Sequence, residues 1–261
     1  KGNEIEPKRA GEEMNAETIL SGKLTKHDDD IEVFVELIDV KNGVQIWNFQ
    51  YVRKDEELIA LQNQIASDVA TQLKIGDSGN QKQIVTKSFT ENPQAFELYL
   101  KGEYHRQKAT PDDTKKAVEF YKKALDLDPN YALAHQGLAL AYRISPAYGT
   151  LPPNEAYPLA KESAMKALSI DPTLGSAHIP LASIKYVYDW DFAEAEAEYK
   201  QAIQLVPNNS EAHYSYGNFL VAMGRPDEAL NQLKIAQQFE PNSSSIASNI
   251  AWALYIAGHF A

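Results

Sequence analysis

The sequence predicts a mainly α-helical solenoid preceded by a small α+β module. The first observation behind this is a set of four residues that recurs four times with constant spacing. The copies are Ala117, Tyr121, Ala124, Pro129; Ala160, Ala164, Ala167, Pro172; Ala195, Tyr199, Ala202, Pro207; and Ala229, Leu233, Ala236, Pro241. Ten residues after each proline comes a small residue, namely Ala139, Ala182, Gly217 and Ala251. A fixed core with loops of variable length, at a period of about 34 residues, is typical of stacked helix–turn–helix units.

The composition excludes several classes of protein. The 261 residues are 44% hydrophobic and carry a net charge of −11. Nucleic acid and anionic lipid bind clustered Lys and Arg, so this charge argues against both partners. Without cysteine the chain forms no disulfide and no thiolate site. No stretch approaches the ~18 apolar residues of a membrane span. The chain starts at Lys1 rather than Met, which predicts a fragment of a longer protein.

The amino-terminal module is predicted from a change of period. A short helix is expected over 8–14, and from Ala16 apolar residues alternate with polar ones, as in half-buried strands. Three strands follow, separated by turns at 27–30 and at Asn42-Gly43, which together predict an antiparallel meander. The residues that define the strands are Thr18, Leu20 and Leu24; Ile31, Val33, Val35 and Leu37; and Trp47, Phe49 and Tyr51.

A helix that begins at an Asp55 N-cap and runs to about Lys74 completes the module. Its apolar residues step by three and four, which gives one stripe to lay on the sheet: Leu58, Leu61, Ile65, Val69 and Leu73. The segment 76–80, rich in Gly, Ser and Asp, marks a boundary. We therefore predict a module at 1–75, a linker at 76–92 and a helical array at 93–261.

The array is predicted to hold four repeats, at about 95–130, 131–173, 174–208 and 209–242, and the first helix of a fifth at 243–261. Alanine and glycine stand where two helices cross closely, and each proline ends a unit because it cannot continue a helix. Loop insertions are expected at 109–114 and 145–153. Pro180 lies inside a predicted helix, so a kink or a late helix start is expected there.

Two segments resemble a known repeat family. ALDLDPN at 124–130 and GRPDEAL at 224–230 look like tetratricopeptide repeats, and this resemblance covers about 95–261. It implies an α-solenoid whose first helices line a concave groove. The amino-terminal part is similar to a TolB-like module, incomplete here, in AETILSGKL (16–24), VELIDV (35–40), QIW (45–47), LQNQIA (61–66) and ENPQAFELYLKG (91–102). That resemblance implies a bacterial signalling protein: a receptor-type Ser/Thr kinase, an adenylate cyclase or a winged-helix regulator.

No group of residues has the spacing of a catalytic or metal site. His135, His178 and His213 occupy equivalent places in three repeats, about 10 Å apart, so they cannot share one zinc ion and are interpreted as packing residues. The acidic run at 28–30 lacks the rest of a calcium loop. The alternating glutamates at 194, 196 and 198 are interpreted as a solubilising face. We expect no enzyme activity, no cofactor and no metal.

The groove implied by the resemblance is the candidate site for a protein or peptide partner. It lacks the lysines with which some relatives hold peptide carboxylates, so an apolar or amphipathic peptide is favoured. The alternative is that some of its aromatic residues only pack between repeats. The predicted lining is Phe96, Tyr99, Glu103, Arg106, Gln136, Leu140, Arg143, Ile179, Ser183, Tyr186, Tyr214, Asn218, Trp252 and Tyr255.

Two functions remain open at this point. The first is a non-catalytic interaction region of a larger bacterial signalling protein. The second is an oligomerisation scaffold that pairs through the exposed sheet edge or the terminal half-repeat. The sequence does not identify the partner, the upstream domain or the compartment, although the cytoplasm is favoured over an extracytoplasmic position in a membrane-anchored receptor.

Overall fold

The computed structural model describes residues 7–13, 16–27, 30–54, 57–73 and 90–258. The chain divides into two compact units, Lys1–Pro93 and Gln94–Ala261. The predicted linker at 76–92 and the turn residues 28–29 lie wholly or mostly outside the described residues.

The first unit contains the predicted meander. Its elements are α1 (Pro7–Glu13), β1 (Thr18–His27), β2 (Asp30–Asp39), β3 (Val44–Lys54) and α2 (Leu58–Gln72). The strands form one antiparallel sheet in the order β1-β2-β3. Gly43 takes φ +65° in the second turn, where the N–H of Asn42 donates to Asp39 Oδ1 at 2.9 Å. Glycine suits this position because a side chain there would be strained.

Helix α2 packs on one face of the sheet. Leu61 joins Ile31, Val35 and Tyr51 in a buried cluster. The hydroxyl of Tyr51 donates to Asp68 Oδ2 at 2.8 Å, and burial raises the pKa of this tyrosine. The predicted cap Asp55 lies outside the described residues. Glu57 precedes α2 without capping it through its side chain.

The second unit consists of helices paired in sequence order. They are α3 (Pro93–Gln107), α4 (Pro111–Leu127), α5 (Ala132–Ile144), α6 (Pro153–Ile170), α7 (His178–Ile184), α8 (Phe192–Leu205), α9 (Ser210–Ala222), α10 (Pro226–Phe239) and α11 (Ser244–Ile256). A 3₁₀ turn (Gly175–Ala177) precedes α7 and a π-helical turn (Lys185–Asp189) follows it. Within residues 93–258 the helices therefore form four pairs followed by one further helix, as the sequence predicts. Among the described residues, no helix has the length and apolar character that a membrane crossing requires.

The recurring residues form the core of each helix pair. Every Ala, Tyr or Leu of the recurring set on the second helices is buried. The first repeat carries Gly102 at the small position, where an added Cβ would lie 2.6 Å from the ring of Tyr121. An added Cβ at Gly137 would also lie 2.6 Å from that ring, so two glycines leave the space that the tyrosine fills. Ala251 on α11 is exposed, since no second helix packs on α11 in the described part of the chain.

Prolines and turns place the helix starts. Pro180 is the third residue of α7, in the first turn, where its missing N–H costs no helical hydrogen bond. This is the late start that the sequence suggested. Pro158 lies inside α6, which the sequence analysis did not anticipate. The insertion expected at 109–114 is shorter than predicted, because Thr110 caps a helix that already begins at Pro111.

The turn between α7 and α8 has unusual backbone geometry. After the π-helical residues, Trp190 takes a left-handed conformation with φ 58° and ψ 24°. The N–H of Asp191 donates to the carbonyl of Lys185 at 2.8 Å, which closes the turn. The carboxylate of Asp191 then accepts from the N–H of Glu194 at 3.1 Å and caps α8. These bonds offset the strain of a bulky residue at positive φ.

Candidate functional site

A cavity of about 330 Å³ opens between the first helices of the second, third and fourth repeats. It brings together five residues of the predicted groove: Arg143, Ser183, Tyr186, Tyr214 and Asn218. The remaining lining comes from Tyr157, Val187, Tyr199, Glu211, Ser215 and Phe219. The helices α5, α7 and α9 supply most of the lining, because each presents its groove-side face at this level.

The wall of the cavity is aromatic and internally packed. The ring of Tyr186 meets that of Phe219 edge-on, with centroids 5.4 Å apart. The hydroxyls of Ser183 and Tyr199 share a hydrogen bond of 3.0 Å, and burial raises the pKa of Tyr199. Since Ser183 is small, α7 leaves space above this bond instead of filling it.

An ion pair lies on the lining of the same cavity. Arg143 Nη2 donates to Glu211 Oε1 at 3.1 Å, and the two side chains are 24% and 32% exposed. Arg143 Nε is buried and has no hydrogen-bond partner among the described residues. The side-chain amide of Asn218 also makes no hydrogen bond within the described part of the chain. The cavity therefore offers polar groups beside its rings.

The predicted groove residues of the first repeat form a separate cluster. Arg106 Nη2 donates to Glu103 Oε2 at 2.9 Å, and the hydroxyl of Tyr121 donates to the same carboxylate. Burial opposes the charge of Arg106, but the hydrogen bonds with Glu103 and the charges of Glu103 and Glu211 raise its pKa. Tyr99 packs between the rings of Tyr121 and Tyr131, with centroids 6.1 and 5.2 Å away. Here the groove is filled by the chain itself.

Several predicted groove residues do not line the cavity. Leu140 and Ile179 are 2% and 1% exposed, so their assignment to the groove surface was wrong: both lie in the core between helix pairs. Phe96 is buried as well, and Gln136 is half-buried. Trp252 and Tyr255 stack on α11 with centroids 5.6 Å apart, and both are more than half exposed.

A second cavity of about 360 Å³ continues toward α11. It is lined by Asn218, Val221, Ala222, Asn249, Trp252 and Ile256. Asn218 therefore borders both cavities. Asn249 Nδ2 donates to the hydroxyl of Tyr214 at 2.8 Å, which fixes that ring from the side of α11.

Sequence reasoning missed Glu211 and Tyr157. Glu211 lies three residues before Tyr214 on α9, about one helical turn away, so the helical period could have indicated it. Tyr157 belongs to α6, a second helix, and the prediction considered first helices only. It reaches the cavity beside Tyr188, whose ring centroid is 5.2 Å away.

Comparisons with known proteins support the repeat assignment. The family model described as "Tetratricopeptide repeat" matches residues 190–252, and a second model of that description matches 112–131. A crystal structure of TTC0263, a thermophilic TPR protein from Thermus thermophilus, superposes with a TM-score of 0.53 at 22% identity, over 74% of this chain and 99% of that one. The chain contains tetratricopeptide repeats.

Two curated relatives extend over more of the chain than the repeat models. The chain is 24% identical over 246 residues to the transcriptional regulator HilA of Salmonella typhimurium, covering 94% of this chain and 43% of that protein. It is 25% identical over 187 residues to putative adenylate cyclase 3 of Rhizobium meliloti, covering 70% and 31% respectively. The chain thus spans less than half the length of these relatives. A three-stranded sheet is present, while its TolB-like assignment stays a prediction.

Each of the aligned histidines makes a short polar contact within the helical unit. His213 Nε2 lies 2.8 Å from the carbonyl of Pro207, and its Nδ1 lies 2.7 Å from Gln232 Oε1. His135 Nε2 makes the same contact to the carbonyl of Pro129 at 2.9 Å, and His178 Nδ1 lies 2.6 Å from Glu198 Oε2. These rings thus contact the preceding turn or the second helix. Within the described residues, no three His, Cys, Asp or Glu side chains are placed to hold a metal ion.

The glutamates of α8 were misread as a merely solubilising face. Glu196 Oε2 accepts from Arg225 Nη1 at 2.8 Å, and Glu196 Oε1 accepts from the hydroxyl of Tyr216 at 2.9 Å. The hydrogen bond with Arg225, followed by that with Lys200, lowers the pKa of Glu196 to about 2. Alternating charge in the sequence did not reveal the partners Tyr216 and Arg225, because they lie in the next repeat.

Proposed function

We propose that the tetratricopeptide array is a non-catalytic peptide-binding region of a larger bacterial signalling protein. The cavity between α5, α7 and α9 would anchor one large side chain of an apolar or amphipathic peptide. The observation that carries this proposal is the cavity itself, about 330 Å³ in volume with aromatic walls. Ligand pockets typically start at about 300 Å³ and are mostly apolar with a few placed polar groups.

The chemistry of the lining favours a peptide over a small polar metabolite. Tyr186 and Tyr214 give rigid apolar area at little cost in side-chain entropy. The side-chain amide of Asn218 has a donor and an acceptor without partners in the described part of the chain, which matches a peptide group. The second cavity beside Asn218 would let an extended segment continue toward Trp252.

The signalling context rests on the relatives. Similarity to a protein named as a transcriptional regulator and to one named as a putative adenylate cyclase supports a regulatory region joined to a different output domain. The proposal includes the TolB-like module, for which the sheet of the first unit and the segments AETILSGKL and VELIDV are the support.

Selection of random twelve-residue peptides on phage against the 261-residue chain would test the anchor. For a selected peptide, we expect Tyr186→Ala and Tyr214→Ala each to weaken the dissociation constant by at least about tenfold, as for a buried aromatic anchor. Tyr104→Ala is the matched control, because Tyr104 lies exposed on α3, outside the cavity. Equal affinities for the parent chain and all three variants, measured by calorimetry, would place the site elsewhere.

A second candidate function is the oligomerisation scaffold. Leu20 and Leu24 share the sheet face that α2 partly covers, yet they are 49% and 61% exposed. Within the described residues β1 pairs only with β2, and such an edge can accept another strand. Sedimentation equilibrium would test it: a monomer at every concentration up to the millimolar range contradicts a scaffold, while a dimer lost in Leu24→Lys supports one.

A further inference from the structure

The ion pair beside the cavity skips one repeat. In a solenoid each repeat contacts chiefly its neighbours. Arg143 belongs to the second repeat and Glu211 to the fourth, yet Nη2 and Oε1 lie 3.1 Å apart. Ser183 of the third repeat, which lines the same cavity, is small enough to leave them this path. The pair therefore bridges the groove at the level of the proposed anchor.

Within the described residues, the guanidinium of this bridge keeps one unused hydrogen-bond donor. A guanidinium carries five N–H donors. Arg143 uses Nη2 for Glu211, and its buried Nε has no acceptor in the described residues. Glu211 accepts a single hydrogen bond from this arginine, through Oε1. Opening the bridge would therefore free Nη2 of Arg143 for another acceptor.

Glu211 and Arg143 also differ in the free energy that each loses when the ion pair opens. Glu211 lies in the first turn of α9, where the helix dipole stabilises a carboxylate even after Arg143 has left it. It is the more exposed of the two and can turn to water. Arg143 is three-quarters buried, so its charge is largely removed from water. Without a partner, no attraction would offset that desolvation penalty.

We propose that Glu211 is a built-in competitor that occupies Arg143 in the free protein, and that an acidic side chain of the bound peptide displaces it. This inference rests on the proposed peptide-binding function and specifies it: the apolar anchor enters the cavity while a neighbouring carboxylate takes the arginine. Binding then requires the bridge between the second and fourth repeats to open.

Three matched peptides test the displacement. They are acetylated and amidated twelve-residue probes with identical Leu and Phe positions, whose remaining positions are all Glu, all Gln or all Lys. Each carries fluorescein, and its affinity for the 261-residue chain is measured by fluorescence anisotropy at constant ionic strength. We expect the Glu probe to bind most tightly and the Lys probe most weakly.

Variants separate competition from a general charge effect. Glu211→Gln should raise the affinity of the Glu probe about fivefold, the value of a partly exposed ion pair. Glu240→Gln is the control, because it removes the same charge from an exposed site at the end of α10 and should change nothing. Arg143→Gln should abolish the preference for Glu over Gln. Thermal melting establishes that each variant is folded.

The outcomes distinguish this inference from the function on which it rests. Tightest binding of the Lys probe, or equal effects of Glu211→Gln and Glu240→Gln, would overturn the competitor. If the probes bind without regard to charge and Tyr186→Ala removes their binding, the competitor is overturned while the anchor stands. Failure of all three probes to bind counts against both.

Discussion

The first and third repeats have the same recurring residues, but the groove is filled at the first repeat and open at the third. Both carry a tyrosine between the two alanines of the second helix, Tyr121 and Tyr199, and both rings are buried. In the first repeat the hydroxyl of Tyr121 meets Glu103, whose pairing with Arg106 fills the groove. In the third, Tyr199 meets Ser183, and a cavity remains above the bond.

The difference follows from the residue next to the small position. That residue is Glu103 in the first repeat, then Leu140, Ser183, Asn218 and Trp252 in order. A long charged side chain closes the groove, a serine opens it, and Leu140 turns into the core. The register thus determines the core of every repeat, while one adjacent position decides whether the groove is available to a ligand.

The largest expected effect is a loss of stability when the contact around the Tyr121 ring of the first repeat is disrupted. Gly137→Val would place a Cβ 2.6 Å from the Tyr121 ring, so we expect a loss of about 3 kcal/mol in the free energy of unfolding. Urea unfolding followed by circular dichroism measures it. Ala197→Val is the control: it adds the same β-branched side chain on the exposed face of α8 and should cost about 0.5 kcal/mol or less. Similar losses for both would mean that the slot around Tyr121 is not tight.

A smaller effect sharpens the contrast between the two tyrosines. Tyr121→Phe removes a hydrogen bond to a carboxylate and should cost about 2 kcal/mol, whereas Tyr199→Phe removes one to a neutral hydroxyl and should cost about 1 kcal/mol. The same urea titration compares them. The reverse order would contradict the view that the first repeat depends on its charged cluster and the third does not.

The smallest expected effect is on the stability of the fold at acidic pH. Because Arg225 and Lys200 lower the pKa of Glu196 to about 2, this carboxylate stabilises the fold above its unfolded pKa of about 4.3. That contribution is lost as the pH falls from about 4.3 toward 2, since protons then bind the unfolded chain first. Glu196→Gln should flatten the fall in melting temperature over this window. An unchanged pH profile, or a carboxyl titration near pH 4 by NMR, would contradict the assignment.

Much of the architecture could be predicted because it is local or periodic. Alanines at a fixed spacing predicted the helix pairs, and Asn42-Gly43 predicted the hairpin turn. Pro180 indicated a kink or a late start of α7, of which the late start is found. The short loop before Pro111 was not predicted, because its length depends on the cap that Thr110 supplies. Pro158 inside α6 was not predicted either. It lies on an exposed helix face, where packing of the rest of the helix outweighs the lost hydrogen bond.

The candidate site could be predicted only in part. The helical period on the first helices indicated Tyr186, Tyr214 and Asn218, and all three line the cavity. It also indicated Leu140 and Ile179, which are buried, since neighbouring faces of a helix differ by a rotation that a one-dimensional pattern resolves poorly. Glu211 and Glu196 have partners 68 and 29 residues away, and no spacing rule connects such pairs.

By itself, the sequence determined that helix pairs stack and where most of them begin and end, because helix propensity, proline sterics and small residues at close crossings act over a few residues. Only the tertiary structure decided which groove is filled and which is open. Arg143 of the second repeat lies 3.1 Å from Glu211 of the fourth, and that distance depends on the packing of every helix between them.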